Sequence, residues 1–274
     1  MEKNWRPDIP PAMITDDIAF VGGDPVSVHL IKARDGLILL DTGYPDMAEG
    51  IRDNIAALGY DPRDVIALIH THGHIDHYGG TGYFTRLSGA KTYIGKEDAD
   101  IVTGERDLSW AKELDLPRPE PFTPDVLFSD GDVLRISDRT IRCVHAPGHT
   151  EGTYAFFIDT RIDGKPVIAA MHGGVGLNSM TGSFLRKYGL PLELQDRFLE
   201  GLARLRQEHV DVVLGNHPNQ NGTAEKIARL GEEKHPFYDP GEWNAFLTRC
   251  EKDMKHMLQK EHEKDTARKG IEEQ

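Results

Sequence analysis

The stretch Ile69-His70-Thr71-His72-Gly73-His74-Ile75-Asp76-His77-Tyr78-Gly79-Gly80 places His72, His74, Asp76 and His77 within six residues. Imidazole nitrogens and a carboxylate are good ligands for divalent zinc. Four of them so close exceed what one zinc normally takes from a single segment while leaving room for a substrate. The simplest reading is two metal sites side by side, each completed from elsewhere in the chain. The plain alternative, a solvated His-rich loop, weakens if completing ligands follow downstream.

Two later segments supply candidates. A strand-like run, Thr140–His145, leads into Ala146-Pro147-Gly148-His149-Thr150, where Pro and Gly fix a tight loop that can aim His149. Another, Val210–Leu214, leads into Gly215-Asn216-His217-Pro218-Asn219-Gln220-Asn221. Either histidine alone would be an ordinary loop residue. The same feature recurs after three strands, however: an imidazole just past a strand end, where α/β folds build their sites. No G-x-S-x-G elbow or H-E-x-x-H helix offers a competing chemistry.

The elements that must carry these residues follow from periodicity. Pro7, Pro10 and Pro11 make residues 1–17 an irregular arm. Strands are expected from Val26 to Ile31, at Leu37–Leu40 and Val65–Ile69, at Lys91–Ile94, and in the short runs Val126–Phe128, Val133–Ile136, Thr140–His145, Tyr154–Asp159 and Pro166–Met171. Helices are expected over Met47–Leu58, Tyr83–Leu87, from near Lys96, over Leu192–Gln207 and Thr223–Leu230, and in a long charged segment from Glu242 to Arg268. The polar, Pro-rich residues 104–125 suggest a surface loop able to overhang a site. Together these predict one α/β domain over residues 18–274, with mixed sheets and outer helices, ending in the long helix.

Composition narrows the function. A formal charge of -13 over 274 residues argues against a nucleic-acid partner and against adsorption to anionic membranes. Cys143 and Cys250 are far apart and form no CxxC pair, so both read as small buried apolar residues. No apolar stretch is long enough to span a membrane. The amino-terminal residues carry no visible export signal, so the expectation is a cytoplasmic protein, or a periplasmic or secreted one if such a signal has been removed. Oligomeric state is not legible.

The chain resembles the metallo-β-lactamase superfamily. The likeness lies in Asp41-Thr42-Gly43, the H-x-H-x-D-H of His72 to His77, the Pro147-Gly148-His149-Thr150 loop and His217. It is closest to the third subclass of the class B β-lactamases, through Asp41-Thr42-Gly43-Tyr44-Pro45-Asp46-Met47, His217-Pro218 and the helix after Trp243. The resemblance implies an αββα sandwich, two mixed β-sheets face to face between helices, with a dinuclear metal site at one edge. It implies two zinc ions, one held by His72, His74 and His149 and the other by Asp76, His77 and His217. The segment Met171-His172-Gly173-Gly174-Val175-Gly176-Leu177-Asn178 departs from many relatives, lacking both a metal-bridging aspartate and a substrate-binding serine.

Zinc brings the pKa of bound water from 15.7 to about 7, so a hydroxide bridging two zincs is a nucleophile at neutral pH. Asp76 would orient it. Asp41 is expected to support the site through hydrogen bonds to a ligand, with His70 and His145 as weaker candidates for that role. His172 and Asn178 are candidate substrate contacts, although a plain loop role suits both better; Asn219 and Asn221 are candidates for a substrate carboxylate, equally well explained by the Asn/Gly-rich turn. The expected activity is hydrolysis of a cyclic amide in a small molecule. A lactone or other ester is the enzymatic alternative, and a non-catalytic zinc-binding protein the third.

Overall fold

The computed structural model describes residues 9–272, so Pro7 and the start of the expected arm lie outside the described residues. One sheet runs, in order across it, β1 (Ala12–Met13), β2 (Ile18–Phe20), β3 (His29–Ala33), β4 (Gly36–Leu40), β5 (Val65–Ile69), β6 (Lys91–Gly95) and β7 (Val126–Phe128). β1 to β4 pair antiparallel and β4 to β7 parallel. The second sheet holds β8 (Val133–Ile136), β9 (Arg139–His145), β10 (Tyr154–Ile162), β11 (Lys165–His172) and β12 (Val212–Val213), antiparallel except for the β11–β12 pair. The described helices are α1 (Ala48–Ala57), α2 (Ile75–Tyr78), α3 (Thr81–Ser88), α4 (Ala99–Val102), α5 (Gly182–Tyr188), α6 (Leu194–Leu205), α7 (Thr223–Ala228) and α8 (Glu242–Glu272).

Alternation along the strands assigns the layers. On β3, Ile31 joins Phe20, Leu40 and Ile69 in a core that also takes Phe156, Met171 and Leu214 from the second sheet. Its neighbour Leu30 faces the other way, toward Ile51 and Ile55 of α1 and Phe84 of α3. Ala155, Phe157 and Val213 leave the second sheet on its outer side, against Phe198 and Leu202 of α6 and Trp243, Leu247 and Met254 of α8. The order is therefore helix, sheet, sheet, helix. Strands covered on both faces read as unbroken apolar runs, which is why Leu37–Leu40 and Val65–Ile69 are so clear in the sequence.

α6 buries Leu194, Phe198, Gly201, Leu202 and Leu205, one helical stripe. Each large side chain so buried contributes about 1.5–3 kcal/mol. Trp243 Nε1 donates to Leu205 O at 2.9 Å and fastens α8 across α6.

Several expectations need correction. The arm is not irregular to residue 17: β1 pairs with β2 past Pro10 and Pro11. Val26 and Val28 are buried but precede β3, because Gly23 N bonds Val26 O and closes a turn there. β12 is shorter than Val210–Leu214, and α6 is shorter than Leu192–Gln207, with Leu194 N bonding Pro191 O in a turn just ahead of it. α5 has no counterpart among the expected helices. Thr181 Oγ1 caps it by accepting from Phe184 N at 3.3 Å, and Gly189 ends it with φ 65°. Cys143 and Cys250 are buried and unbridged.

Candidate metal centre

Five strand ends converge on one edge of the sandwich. β4 delivers Asp41, β5 delivers His72 through His77, β9 leads to His149, β11 ends at His172, and β12 leads to His217. Backbone past a strand end is free of the ladder, so its side chains can gather.

They gather closely. One ring nitrogen from each of His72, His74 and His149 lies within 4.8 Å of the others, and ligand atoms of His72, Asp76 and His77 meet the same limit. The ring centroids are 4.7 Å apart for His72–His74, 4.7 Å for His72–His149 and 4.5 Å for His74–His149. His77 Nε2 is 3.3 Å from Asp76 Oδ2. His217 stands slightly further out, its Nε2 3.7 Å from the same oxygen and its ring 5.2 Å from that of His77.

In His72, His77, His149 and His217 the opposite ring nitrogen has a partner. Nδ1 of His77 donates to Asp41 Oδ2, Nδ1 of His149 to Gly176 O and Nδ1 of His217 to Pro25 O, each at 2.7 Å. Nδ1 of His72 lies 3.1 Å from Thr71 Oγ1. Donation through Nδ1 leaves the Nε2 lone pair free, the tautomer a metal requires. Nε2 of His72 and of His77 are buried without any hydrogen-bond partner. Orphaned acceptors at a cluster centre are costly unless a cation completes them, so the donor set fits divalent metal.

The electrostatics agree. Burial, reinforced by crowding among the imidazoles, holds His72 and His74 well below the ordinary histidine value. Burial likewise lowers His149 to about 4. For Asp76, burial favours the neutral acid, but His77 and His217 outweigh it and keep the carboxyl far below the usual range. His77 is the exception: burial opposes its charge, yet Asp76 and Asp41 raise it to about 10.

The remaining candidates fall elsewhere. His172 is buried and its Nδ1 accepts from Gly174 N at 3.3 Å, so it braces its own turn. Asn178 is exposed at the start of a short turn ending at Met180. Asn219 is exposed and lines, with Val175, Leu177 and Arg249, a cavity of about 210 Å³. Asn221 is buried, donating to Val213 O at 2.8 Å and accepting from Thr223 Oγ1 at 2.7 Å; its amide is consumed inside the fold, against its candidacy as a substrate contact. His70 bonds Thr81 Oγ1 at 3.2 Å and His145 donates to Glu151 O at 2.8 Å, so both turn to partners outside the ligand cluster.

Three contributors were not singled out by the sequence. Ser179 Oγ donates to His149 O at 2.6 Å, and Thr71 bridges Asp41 to the His72 segment. Trp110, in the 104–125 loop, lies against the His74 ring at 5.4 Å and against Phe184 at 5.0 Å. It adopts φ 66°, a conformation costly for a bulky side chain. A lone tryptophan in a polar loop was the available signal. Gly174 also has a steric role: a Cβ there would stand 2.5 Å from His149 Cδ2.

Comparison with known proteins places this geometry. A family model described as the metallo-beta-lactamase superfamily matches residues 21–161. An uncharacterized protein of Aquifex aeolicus is 35% identical over 157 residues, covering 56% of this chain and 68% of that protein. An N-acyl homoserine lactonase of a Bacillus species is 29% identical over 167 residues, covering 53% of this chain and 62% of the lactonase, less than two thirds of its length. Among solved structures, BJP-1, a subclass B3 metallo-beta-lactamase of Bradyrhizobium japonicum, superposes with TM-score 0.85 at 28% identity, covering 94% of this chain and 97% of that one. FEZ-1 of Legionella gormanii superposes with TM-score 0.85 at 24% identity over 92% of this chain and 97% of that one, a likeness of fold.

Proposed function

The chain belongs to the metallo-β-lactamase superfamily, and from that premise we propose that it is a dinuclear zinc hydrolase opening a cyclic amide of the β-lactam kind. The observation that carries the reading is that ligand atoms of His72, His74 and His149 gather within 4.8 Å of one another, as do those of His72, Asp76 and His77, with His217 Nε2 3.7 Å from Asp76 Oδ2. BJP-1 supports the substrate class through its coverage of nearly the whole chain.

His72, His74 and His149, neutral through burial, would hold one ion without cancelling its charge. Asp76, His77 and His217 would hold the other. Zinc bound there supplies Lewis acidity toward a carbonyl oxygen and brings water toward deprotonation at neutral pH. Asp76 would accept a hydrogen bond from a water held there and fix its direction. Asp41 keeps His77 from rotating, with Nδ1 as the donor. Trp110 and Phe184 wall one side with aromatic surface, excluding bulk water and offering contact to an apolar substituent.

Lactone hydrolysis is the second reading, favoured by the homoserine lactonase match. A lactone carbonyl presents the same electrophile with an alkoxide leaving group. A panel of nitrocefin, N-acyl homoserine lactones and aryl esters separates the two. Nitrocefin turnover that chelator abolishes and zinc restores supports the first reading. Lactone turnover with inert β-lactams transfers the assignment to the second.

A further inference from the structure

Asp98 lies in the turn that opens α4, remote in sequence from every proposed ligand, and it is fully buried. Its Oδ2 accepts from Gly73 N and from Thr150 Oγ1, both at 2.7 Å. Its Oδ1 accepts from Gly152 N, also at 2.7 Å. Gly73 separates His72 from His74, and Thr150 follows His149 directly. One carboxylate thus bonds both backbone segments that bring the three imidazoles together.

The surroundings are shaped to admit this contact. A Cβ at Gly152 would lie 2.5 Å from Asp98 Cγ, and one at Gly73 would lie 3.0 Å from Ile101 Cβ on α4. Thr150 N bonds Thr153 Oγ1 at 3.0 Å, and Gly148 N bonds Thr150 O at 2.9 Å, so the loop around His149 is fixed from Thr150 outward. A buried carboxylate stays ionised only with strong donors, and three of them converge here. Burial raises its carboxyl to about 6 against their pull, leaving it an acceptor at neutral pH.

We infer that Asp98 is a positioning residue for the three-histidine group, setting where His149 stands relative to His72 and His74. Asp41 has the matching role on the other side, through His77. The inference rests on the metal-site reading above. Asp98→Asn has the same shape but turns an N–H toward groups that are themselves donors. Thr150→Val removes the hydroxyl's bonds to Asp98 Oδ2 and Thr153 Oγ1 and leaves the carboxylate in place, and Thr150→Ser keeps the hydroxyl.

Zinc and cobalt titrations of the full chain against a chromophoric chelator test it, with circular dichroism as a check on folding. Asp98→Asn and Thr150→Val are expected to weaken metal binding about 10–100-fold, the scale for partners that orient ligands. They should also alter the cobalt d–d bands, while Thr150→Ser restores wild-type affinity and spectrum. Wild-type affinity and spectrum in both Asp98→Asn and Thr150→Val overturn the inference while leaving the metal site standing. If Asp98→Asn does not fold, the Thr150→Val and Thr150→Ser pair decides it by the same readout. A wild-type protein that binds no metal overturns both this inference and the reading beneath it.

Discussion

Asp41 and His77 form a fully buried pair, with Nδ1 of the imidazole donating to Oδ2 of the carboxylate at 2.7 Å. The same carboxylate accepts from Thr71 N at 2.8 Å and Thr71 Oγ1 at 2.9 Å. Asp41 has φ 65°, so the backbone just past β4 is bent to bring it there. The pair sets the tautomer of His77 and points its Nε2 at Asp76.

Asp41→Asn should therefore weaken metal binding on the Asp76 side by roughly 10–100-fold while the protein stays folded. Zinc titration against a chelating dye measures it. Unchanged affinity would show that His77 is held by packing alone.

Trp110→Ala should raise KM by about tenfold for substrates with an aromatic or long apolar substituent, with little change in kcat, because the lost contact binds ground and transition states alike. Kinetics on two substrates differing only in that substituent check it. An equal loss on both would show that Trp110 serves the loop's fold instead.

The sequence exposed the centre of this molecule better than its periphery. His72, His74, Asp76 and His77 announce themselves because four potential metal ligands fall within six residues, and β5 announces itself because both its faces are covered. His149 and His217 are legible through the position they share, just past strand ends. Asn221 misled because an amide in an Asn/Gly-rich turn looks the same whether it faces solvent or, as here, bonds Val213 O and Thr223 Oγ1. Asp98 is not legible because its contacts with Gly73, Thr150 and Gly152 are long-range and leave no local periodicity, and Trp110 offers only the signal of a lone tryptophan in a polar loop. α5 was missed since it buries only Gly182 and Leu185, too little for an apolar stripe.

His29 gives a pH dependence separate from the proposed ligands. It is fully buried, neither ring nitrogen has a hydrogen-bond partner, and burial lowers it to about 4 despite the attraction of Asp41. A histidine depressed on folding takes up protons more readily when unfolded, so its contribution to stability is full above the unfolded value near 6.5 and is lost as pH falls toward 4. Between about pH 7.5 and pH 5 that loss is on the order of 2 kcal/mol. Urea denaturation at both pH values should show a smaller drop for His29→Phe than for wild type by about that amount. Identical drops would mean that His29 does not titrate in this window.

The central claim is that the two donor sets hold two metal ions and that Asp76 serves both binding and chemistry. Metal equivalents per chain, counted alongside hydrolysis of the β-lactam and lactone panel for wild type and Asp76→Ala, test it most directly. The account predicts two equivalents and chelator-sensitive turnover in the wild type. It predicts a folded Asp76→Ala variant that keeps one equivalent and loses turnover by roughly 10²-fold or more, the scale for removing a group that orients reacting atoms. Wild-type turnover in Asp76→Ala would contradict it.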